Sequence, residues 1–161
     1  MPTDTAHSSP WEIAEVVFGL PFLVAIALQF LIPLSLHEGP LRLVLSLGGA
    51  ALFIAGVAWI VLARQEFSRH GQPTDPGHAT TRIITTGVFS ISRNPLYLGA
   101  AACLAGIGLA ANALWVLVLL IPSLVACHSV LIVPEEKYLA ARFAEEYHAY
   151  CTTVRRWLGR K

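Results

Sequence analysis

Four long apolar runs constrain what this chain can fold into. Each run is close to the roughly 20 residues that a helix needs to cross a hydrocarbon core of about 30 Å. We predict four spans and two polar segments, at about residues 13–34, 41–63, 95–111 and 113–133, with a loop at 64–94 and a tail helix at 135–157. The predicted fold class is all-α: a polytopic membrane protein with four transmembrane helices plus a C-terminal cytoplasmic amphipathic helix.

Composition and length limit the possible functions. Hydrophobic residues make up 55% of the chain and charged residues 13%, which is not the composition of a soluble domain. We treat residues 1–161 as one integral membrane domain, because this length leaves no room for a separate soluble catalytic domain. The formal net charge of +1 argues against a nucleic-acid partner. Three cysteines are an odd number, and Cys103 and Cys127 lie in apolar runs, so we expect all three to be free thiols.

The positive residues predict the orientation in the membrane. Only Arg42 lies between the first two runs, whereas four arginines follow the second run and six basic residues follow the fourth. With an even number of spans, this bias places both termini in the cytoplasm, and we expect a bacterial inner membrane. The first ten residues carry no basic residue, so we expect no cleaved signal peptide. The polar loop and the tail then share one side, as a single site requires.

Small residues in the third run predict close helix packing. Gly99, Cys103, Gly106 and Ala110 recur at spacings of four, three and four. Such a stripe lets two helix backbones approach closely, within one chain or between chains, so the oligomeric state stays open. In the fourth run, Pro122 predicts a kink.

The tail has the pattern of an amphipathic helix. Pro134, Glu135 and Glu136 are typical of a helix start, because proline suits the first turn and carboxylates suit the positive end of the dipole. Apolar residues then recur at spacings of four and three, at Leu139, Phe143, Tyr147, Tyr150, Val154 and Trp157. We expect this face to lie against the cytoplasmic mouth or the headgroups. The basic residues near the end favour anionic membrane lipids, with simple anchoring as the expected role.

Two polar groups stand at the ends of apolar runs. Arg93, Asn94 and Tyr97 lie at the head of the third run, and Glu135 and Glu136 follow the fourth. Two helices of a bundle can bring such ends within roughly 10 Å. Carboxylates, an amide and a phenol together suit a ligand that is zwitterionic and cationic, with a flat heteroaromatic part. Each residue also has a structural interpretation, in which Arg93 snorkels to the interface and Asn94 and the glutamates cap helices.

These residues resemble the small integral-membrane methyltransferases that include isoprenylcysteine carboxyl methyltransferases and phospholipid N-methyltransferases. Members share a Gly-hydrophobic-aromatic stretch, then Arg-His-Pro-x-Tyr-x-Gly, and later a glutamate pair leading into Phe-Gly-x-x-Tyr-x-x-Tyr. This chain has Gly87-Val88-Phe89, Arg93-Asn94-Pro95-Leu96-Tyr97-Leu98-Gly99, Glu135-Glu136 and Phe143-Ala144-Glu145-Glu146-Tyr147-His148-Ala149-Tyr150. The resemblance covers about residues 72–157, and two separated motifs agree in order and spacing.

The resemblance implies an enzyme that uses S-adenosylmethionine, held on the cytoplasmic side between the third span, the fourth span and the tail. By that analogy Ile83, Ile84 and Phe89 line the adenosine, Asn94 and Tyr97 hold the methionine end, and Glu135 faces the ammonium or sulfonium. Gly87, Pro95, Leu96, Gly99 and Glu136 complete the implied cofactor-binding set. Arg93, Glu135 and His128 are the predicted catalytic residues. A sulfonium methyl needs little acid or base help, so alignment and exclusion of water should supply most of the rate.

Two departures from the family pattern bear on the substrate. Asn94 stands where many relatives carry histidine; it keeps a hydrogen-bond donor but cannot become cationic. Leu131 stands where eukaryotic prenylcysteine enzymes carry an arginine for the substrate carboxylate, which argues against prenylcysteine as the acceptor. A lipid headgroup amine, an isoprenoid acid or a small lipophilic thiol all fit as lipophilic or lipid substrates. His128, within the fourth predicted span, is either a general base for the acceptor or a structural histidine with satisfied hydrogen bonds.

Other classes of function have less support from the residues. A small four-helix transporter needs an acidic residue buried within a span, whereas Glu12, Glu15, Glu135 and Glu136 lie at span ends. A haem or metal protein needs paired histidines across the bundle, and His128 has no counterpart in another span. His70, His78 and His148 are unpaired by spacing, so we expect no metal site. A non-catalytic membrane scaffold is the remaining alternative.

Overall fold

The computed structural model describes residues 14–71 and 81–161. They form five α-helices: α1 Ala14–Leu31, α2 Leu41–Arg69, α3 Pro95–Ala110, α4 Leu114–Ala126 and α5 Val133–Thr153. A 3₁₀ turn at Gly87–Ser90 precedes α3, and a π-helical segment at Cys127–Ile132 joins α4 to α5. The predicted start of the first span at Ile13, together with Glu12, Gln72 and His78, lies outside the described residues.

The helices confirm the all-α fold class, and three of them are long and apolar enough to cross a membrane. These are α1, α2 and the helical run Leu114–Thr153, which α4, the π segment and α5 form together and which has a kink at Ala144. Large apolar side chains such as Phe30, Leu43 and Ile54 are exposed on them, as lipid contact requires. The third predicted span corresponds to α3, which has 16 residues and extends about 24 Å at 1.5 Å per residue. The structure therefore supports an integral membrane protein without confirming four full spans.

Three helix boundaries differ from the predicted bounds of the second span and the tail. α2 does not end near Ala63 but continues to Arg69, because its backbone hydrogen bonds continue past the end of the apolar run. The tail helix starts at Val133, with Pro134 and the glutamate pair in its first turn as predicted, and it follows the π segment directly. It also ends at Thr153 rather than 157, since Val154 is extended and the chain turns back, with the amide of Lys161 donating to the carbonyl of Thr153.

The stripe of small residues on α3 packs against a matching stripe on α2. A Cβ added to Gly56 would lie 2.8 Å from the backbone nitrogen of Cys103, and one added to Gly106 would lie 2.6 Å from that of Phe53. A Cβ on Gly49 would lie 2.5 Å from the backbone nitrogen of Ala110. The prediction of close packing at this stripe is confirmed, and α2 and α3 meet backbone to backbone.

The bundle has two distinct ends. At one end, Asn112 in the α3–α4 turn accepts hydrogen bonds from the amides of Leu36 and His37, at 3.0 and 3.1 Å. At the other end, the loop before α3 meets α5, since Arg93 lies 3.1 Å from Glu136. The polar loop and the tail thus share one end, which is where the predicted site residues collect. The three cysteines are free thiols.

Candidate functional site

An apolar layer joins the end of α2 to the loop before α3. Ile84, Val88 and Phe89 are buried against Ala63, and Leu96 packs on the same group. The Phe89 ring meets Phe67 edge to face, with the ring centroids 5.2 Å apart. Three residues predicted to line one ligand, Ile84, Phe89 and Leu96, therefore lie together. We call Ala63, Ile84, Val88 and Phe89 the loop layer.

A second layer joins the same loop to α5. Tyr147, Tyr150 and Val154 are buried there, and Ile83 packs against them with Leu139 and Phe143. The Tyr150 hydroxyl donates a 2.6 Å hydrogen bond to the carbonyl of Phe89. Ile83 thus faces α5 while its neighbour Ile84 faces α2, and the tyrosine of the second motif ties the two layers together.

Arg93, Glu136 and Arg156 form an ion-pair network between the loop, α5 and the C-terminal segment. The Arg93 guanidinium lies 3.1 Å from Glu136, and Arg156 binds the same carboxylate through two nitrogens, at 3.0 and 2.7 Å. The hydrogen bond to Glu136 raises the pKa of Arg156 above its usual range. Arg93 also donates to the Tyr147 hydroxyl at 3.1 Å and to Cys151 Sγ at 2.6 Å. Its side chain is 10% exposed, so Arg93 does not snorkel into water.

Asn94 holds the C-terminal segment and does not cap α3. Its side-chain nitrogen donates a 3.0 Å hydrogen bond to the carbonyl of Arg156, and no side-chain bond caps the helix. Ser92 Oγ accepts a hydrogen bond from the Asn94 amide at 3.2 Å. The following Pro95 is fully buried. Within the described residues, the side chains of Asn94 and Tyr97 have different hydrogen-bond partners, the Arg156 carbonyl and the Glu135 carboxylate.

Tyr97 and Glu135 meet across the contact between α3 and α5. The Tyr97 hydroxyl donates a hydrogen bond of 3.3 Å to Glu135 Oε2. The Tyr97 ring packs on the buried cluster of Val17, Phe18, Cys127, Leu131 and Ile132. Within residues 14–71 and 81–161, Glu135 forms no ion pair, whereas the adjacent Glu136 has two guanidinium partners. Glu135 is therefore a carboxylate available to a cation at an apolar wall.

The two motif glycines lie against α2. A Cβ on Gly99 would lie 2.6 Å from the side chain of Ile60, so Gly99 belongs to the α2–α3 contact. A Cβ on Gly87 would lie 2.6 Å from the Glu66 carboxyl carbon, and its φ of +56° is one that L side chains rarely adopt. Both positions need glycine for close approach, which is a packing requirement.

His128 lies in the π segment and is half-buried. Within the described part of the chain, its ring forms no hydrogen bond or ion pair. The interpretation of His128 as a structural histidine with satisfied hydrogen bonds therefore has no support among these contacts. The His128 ring therefore forms no hydrogen bond with Tyr97 or with Glu135.

Glu66 is a polar residue at this end that the sequence interpretation missed. Its side chain is 7% exposed, and it accepts a 2.6 Å hydrogen bond from Thr86 and a 2.8 Å one from Arg69. A single acidic residue just beyond the second apolar run was the available signal, and it falls within the predicted loop at 64–94.

A shallow apolar crevice lies between α1, α3 and α4. It is close to the buried cluster on which Tyr97 packs, which we call the Tyr97 wall. The volume of the crevice that is accessible to a water molecule is about 0 Å³, and the crevice is lined by Phe18, Phe22, Leu104, Val116, Leu119, Leu120 and Ser123. This volume is below the range of about 300 to 1,000 Å³ that is usual for ligand pockets. Phe18, Leu104 and Leu120 also belong to the wall on which Tyr97 packs.

Comparison with known proteins gives one match. The family model described as phospholipid methyltransferase matches residues 44–146, well over half of the chain. The matched region runs from the start of α2 into α5 and includes Arg93, Tyr97 and the glutamate pair. No curated protein and no solved structure matches the chain.

Proposed function

Because this chain belongs to the phospholipid methyltransferase family, we propose that it transfers a methyl group from S-adenosylmethionine to a lipophilic or membrane-embedded acceptor. The observation that carries the proposal is the hydrogen bond from Tyr97 to Glu135, which sets an otherwise unpaired carboxylate at the junction of the two motifs. We place this end of the bundle in the cytoplasm, because most of the basic residues lie in the loop and tail that meet there.

The residues at the junction suit the charge of the proposed cofactor. S-adenosylmethionine carries an ammonium and a sulfonium, and Glu135 is a carboxylate with no cationic partner in the described part of the chain. Tyr97 orients that carboxylate through its hydroxyl. Glu136 is already neutralised by Arg93 and Arg156. We therefore assign the cationic end to Glu135 and give Glu136 the role of holding the tail against the loop.

The flat heteroaromatic part is assigned to the loop. Ile84, Phe89 and Leu96 lie together in and against the loop layer, Gly87 begins the 3₁₀ turn that carries Phe89, and Ile83 packs on the α5 side of the same loop. Apolar side chains beside the exposed Gly87 suit a purine ring. Pro95 and Gly99 shape this end through burial and through the α2–α3 contact. Asn94 joins the methionine end in the proposal, and its present partner is the carbonyl of Arg156.

Methyl transfer from a sulfonium needs little general acid or base catalysis. When bound, S-adenosylmethionine supplies a methyl group on a positively charged sulfur, which is activated toward nucleophiles. The chain's residues would hold the donor, align the acceptor and exclude water. Fully buried Cys127, Leu131 and Ile132 form an apolar wall beneath Tyr97 and serve the exclusion of water. We propose that His128 accepts the proton from a hydroxyl, thiol or amine acceptor, and that Arg93 acts through the ion-pair network as a positioning residue.

A lipid headgroup amine is the acceptor that we propose first. The family's description names phospholipids, and an amine needs no cationic residue to hold it. A carboxylate acceptor such as an isoprenoid acid would need one, and Leu131 is fully buried and apolar at the position where prenylcysteine enzymes carry arginine. The apolar crevice between α1, α3 and α4 lies beside the Tyr97 wall and offers a surface for an acyl chain.

Purified protein in detergent tests the proposal directly. We expect calorimetry to give binding of S-adenosylmethionine and S-adenosylhomocysteine in the micromolar range or tighter. Incubation with phosphatidylethanolamine vesicles and methyl-labelled S-adenosylmethionine should then place label in the lipid extract. No heat and no thermal shift with either nucleotide would contradict the proposal; binding without labelled lipid would reject only the amine acceptor.

A further inference from the structure

A buried carboxylate stands between the end of α2 and the turn that we assign to the adenosine. Glu66 Oε2 accepts a 2.6 Å hydrogen bond from the Thr86 hydroxyl, twenty residues away in sequence. Glu66 Oε1 accepts a 2.8 Å hydrogen bond from Arg69, one turn along the same helix. The side chain is 7% exposed, so these bonds form in a site with little water. A buried carboxylate held in this way fixes the groups that donate to it.

Gly87 packs directly on that carboxylate. A Cβ on Gly87 would lie 2.6 Å from the Glu66 carboxyl carbon and 2.7 Å from Oε1. The backbone of the 3₁₀ turn is therefore in contact with the acid, with no side chain between them. Thr86 immediately precedes this turn, and the Phe89 amide donates to the Thr86 carbonyl at 3.0 Å. The carboxylate thus contacts both the first residue of the turn and the residue before it.

The neighbours of Glu66 on α2 hold the apolar part of the same turn. Ala63, one turn before Glu66, is fully buried in the loop layer with Ile84, Val88 and Phe89. Phe67, next to Glu66, meets the Phe89 ring edge to face. One helical turn of α2 therefore fixes both the backbone and the aromatic ring of the segment Thr86–Phe89.

We propose that Glu66 is a positioning residue that sets the adenosine-binding turn, acting through Thr86 and Gly87. The inference rests on the proposed function, because it concerns where the cofactor's adenosine is held. Glu66 acts through the turn and is not expected to touch the reacting atoms. Its loss should therefore weaken recognition of the adenosine, whereas loss of Glu135 should weaken recognition of the amino-acid end alone.

Two probes separate these effects. S-adenosylmethionine carries both ends, and 5′-methylthioadenosine carries the adenosine without the amino-acid end. Calorimetry on Glu66→Ala protein in detergent should show a loss of about tenfold in affinity for both probes. Glu135→Gln protein should lose affinity for S-adenosylmethionine only. Glu66→Gln keeps an acceptor oxygen and should recover part of the loss, and Gln65→Ala, at the exposed neighbouring position, is the matched control.

Thr86→Val keeps the inference testable if Glu66→Ala does not fold. It removes only the hydroxyl that reaches Glu66, and it should weaken both probes in the same direction. A further test is Gly87→Ala, made in the parent and in the Glu66→Ala background. The strain that alanine adds at this positive φ is the same in the two backgrounds, so it does not contribute to the difference between them. The added methyl group should therefore reduce affinity less in the Glu66→Ala background, where it meets no carboxylate.

Each outcome of these binding measurements either supports or overturns the inference. Equal affinity of the parent and Glu66→Ala for 5′-methylthioadenosine would overturn the inference. A lower melting temperature or a smaller fraction of binding-competent Glu66→Ala protein would not rescue it, because a purely structural role of Glu66 gives the same result. A loss confined to S-adenosylmethionine would overturn it as well. Failure of the parent to bind either probe would overturn the proposed function and this inference with it. A parallel loss for both probes, partly recovered by Glu66→Gln, supports it.

Discussion

The hydroxyl of Tyr97 donates to the carboxylate of Glu135 at 3.3 Å, across the contact between α3 and α5. Each residue belongs to one of the two motifs, and 38 positions separate them in sequence. The junction they form is where the proposed enzyme would hold a cation.

Glu135→Gln should lose affinity for S-adenosylmethionine while the fold survives. The amide keeps the acceptor for Tyr97 but removes the charge that faces the ammonium or sulfonium. A charged hydrogen bond contributes about 1.5 to 3 kcal/mol, so the dissociation constant should rise by about tenfold or more. Calorimetry measures the constant, with Glu145→Gln on the exposed part of the same helix as the control. Binding equal to that of the parent would show that the methionine end lies elsewhere.

Glu136→Gln should lower stability more than it lowers affinity. The substitution leaves the guanidinium of Arg93 with a side-chain exposure of 10% and without its carboxylate partner. Losing one partner of a partly buried ion pair costs about 1 to 3 kcal/mol. Thermal unfolding in detergent should show a lower midpoint for Glu136→Gln. Lys137→Ala, at the exposed neighbouring position, should have the same midpoint as the parent. An unchanged midpoint for Glu136→Gln would mean that the network contributes nothing to the fold.

Gly49→Ala and Gly48→Ala form a matched pair on α2. A Cβ on Gly49 would lie 2.5 Å from the backbone nitrogen of Ala110, whereas one on Gly48 would meet nothing within 4 Å. Forcing a methyl group into a packed contact costs about 1 to 3 kcal/mol. Gly49→Ala should therefore unfold at a lower temperature, and Gly48→Ala should unfold at or above the temperature of the parent. Equal midpoints would refute backbone contact between α2 and α3.

His128→Ala should slow methyl transfer and leave cofactor affinity unchanged. A positioned general base contributes about a hundredfold or more to a rate. The initial rate with saturating S-adenosylmethionine and phosphatidylethanolamine vesicles measures the effect. Ser129→Ala, at the next and exposed position of the π segment, is the control. Equal turnover would return His128 to a structural role.

The apolar runs predicted the existence of the helices better than their ends. Hydropathy reports where a helix leaves the hydrocarbon, but α2 continues to Arg69 with Glu66 bound to Thr86. Pro134 predicts a helix start and does lie in the first turn of α5, but its pattern gave no sign that a π segment directly precedes this helix. The stripe on α3 was predictable from spacing alone. Its partners Gly49 and Gly56 on α2 were visible too, but which helix packs on α3 is a tertiary property.

The candidate site was predictable only in part. The motifs indicated that Tyr97 and Glu135 belong together, and the structure places them in contact. Asn94 was assigned to the same group, but its side chain reaches the carbonyl of Arg156, which depends on how the C-terminal segment folds back. Glu66 escaped notice because its partner Thr86 lies beyond a loop, and no local spacing relates the two.

The glycine contact between α2 and α3 also bears on how a lipid could reach the site. Helices that touch through their backbones leave no side chains that could rotate aside, so a lipid cannot pass between α2 and α3. The apolar surface that α1, α3 and α4 share lies on another flank, and it is the side that the proposed function leaves to a lipid.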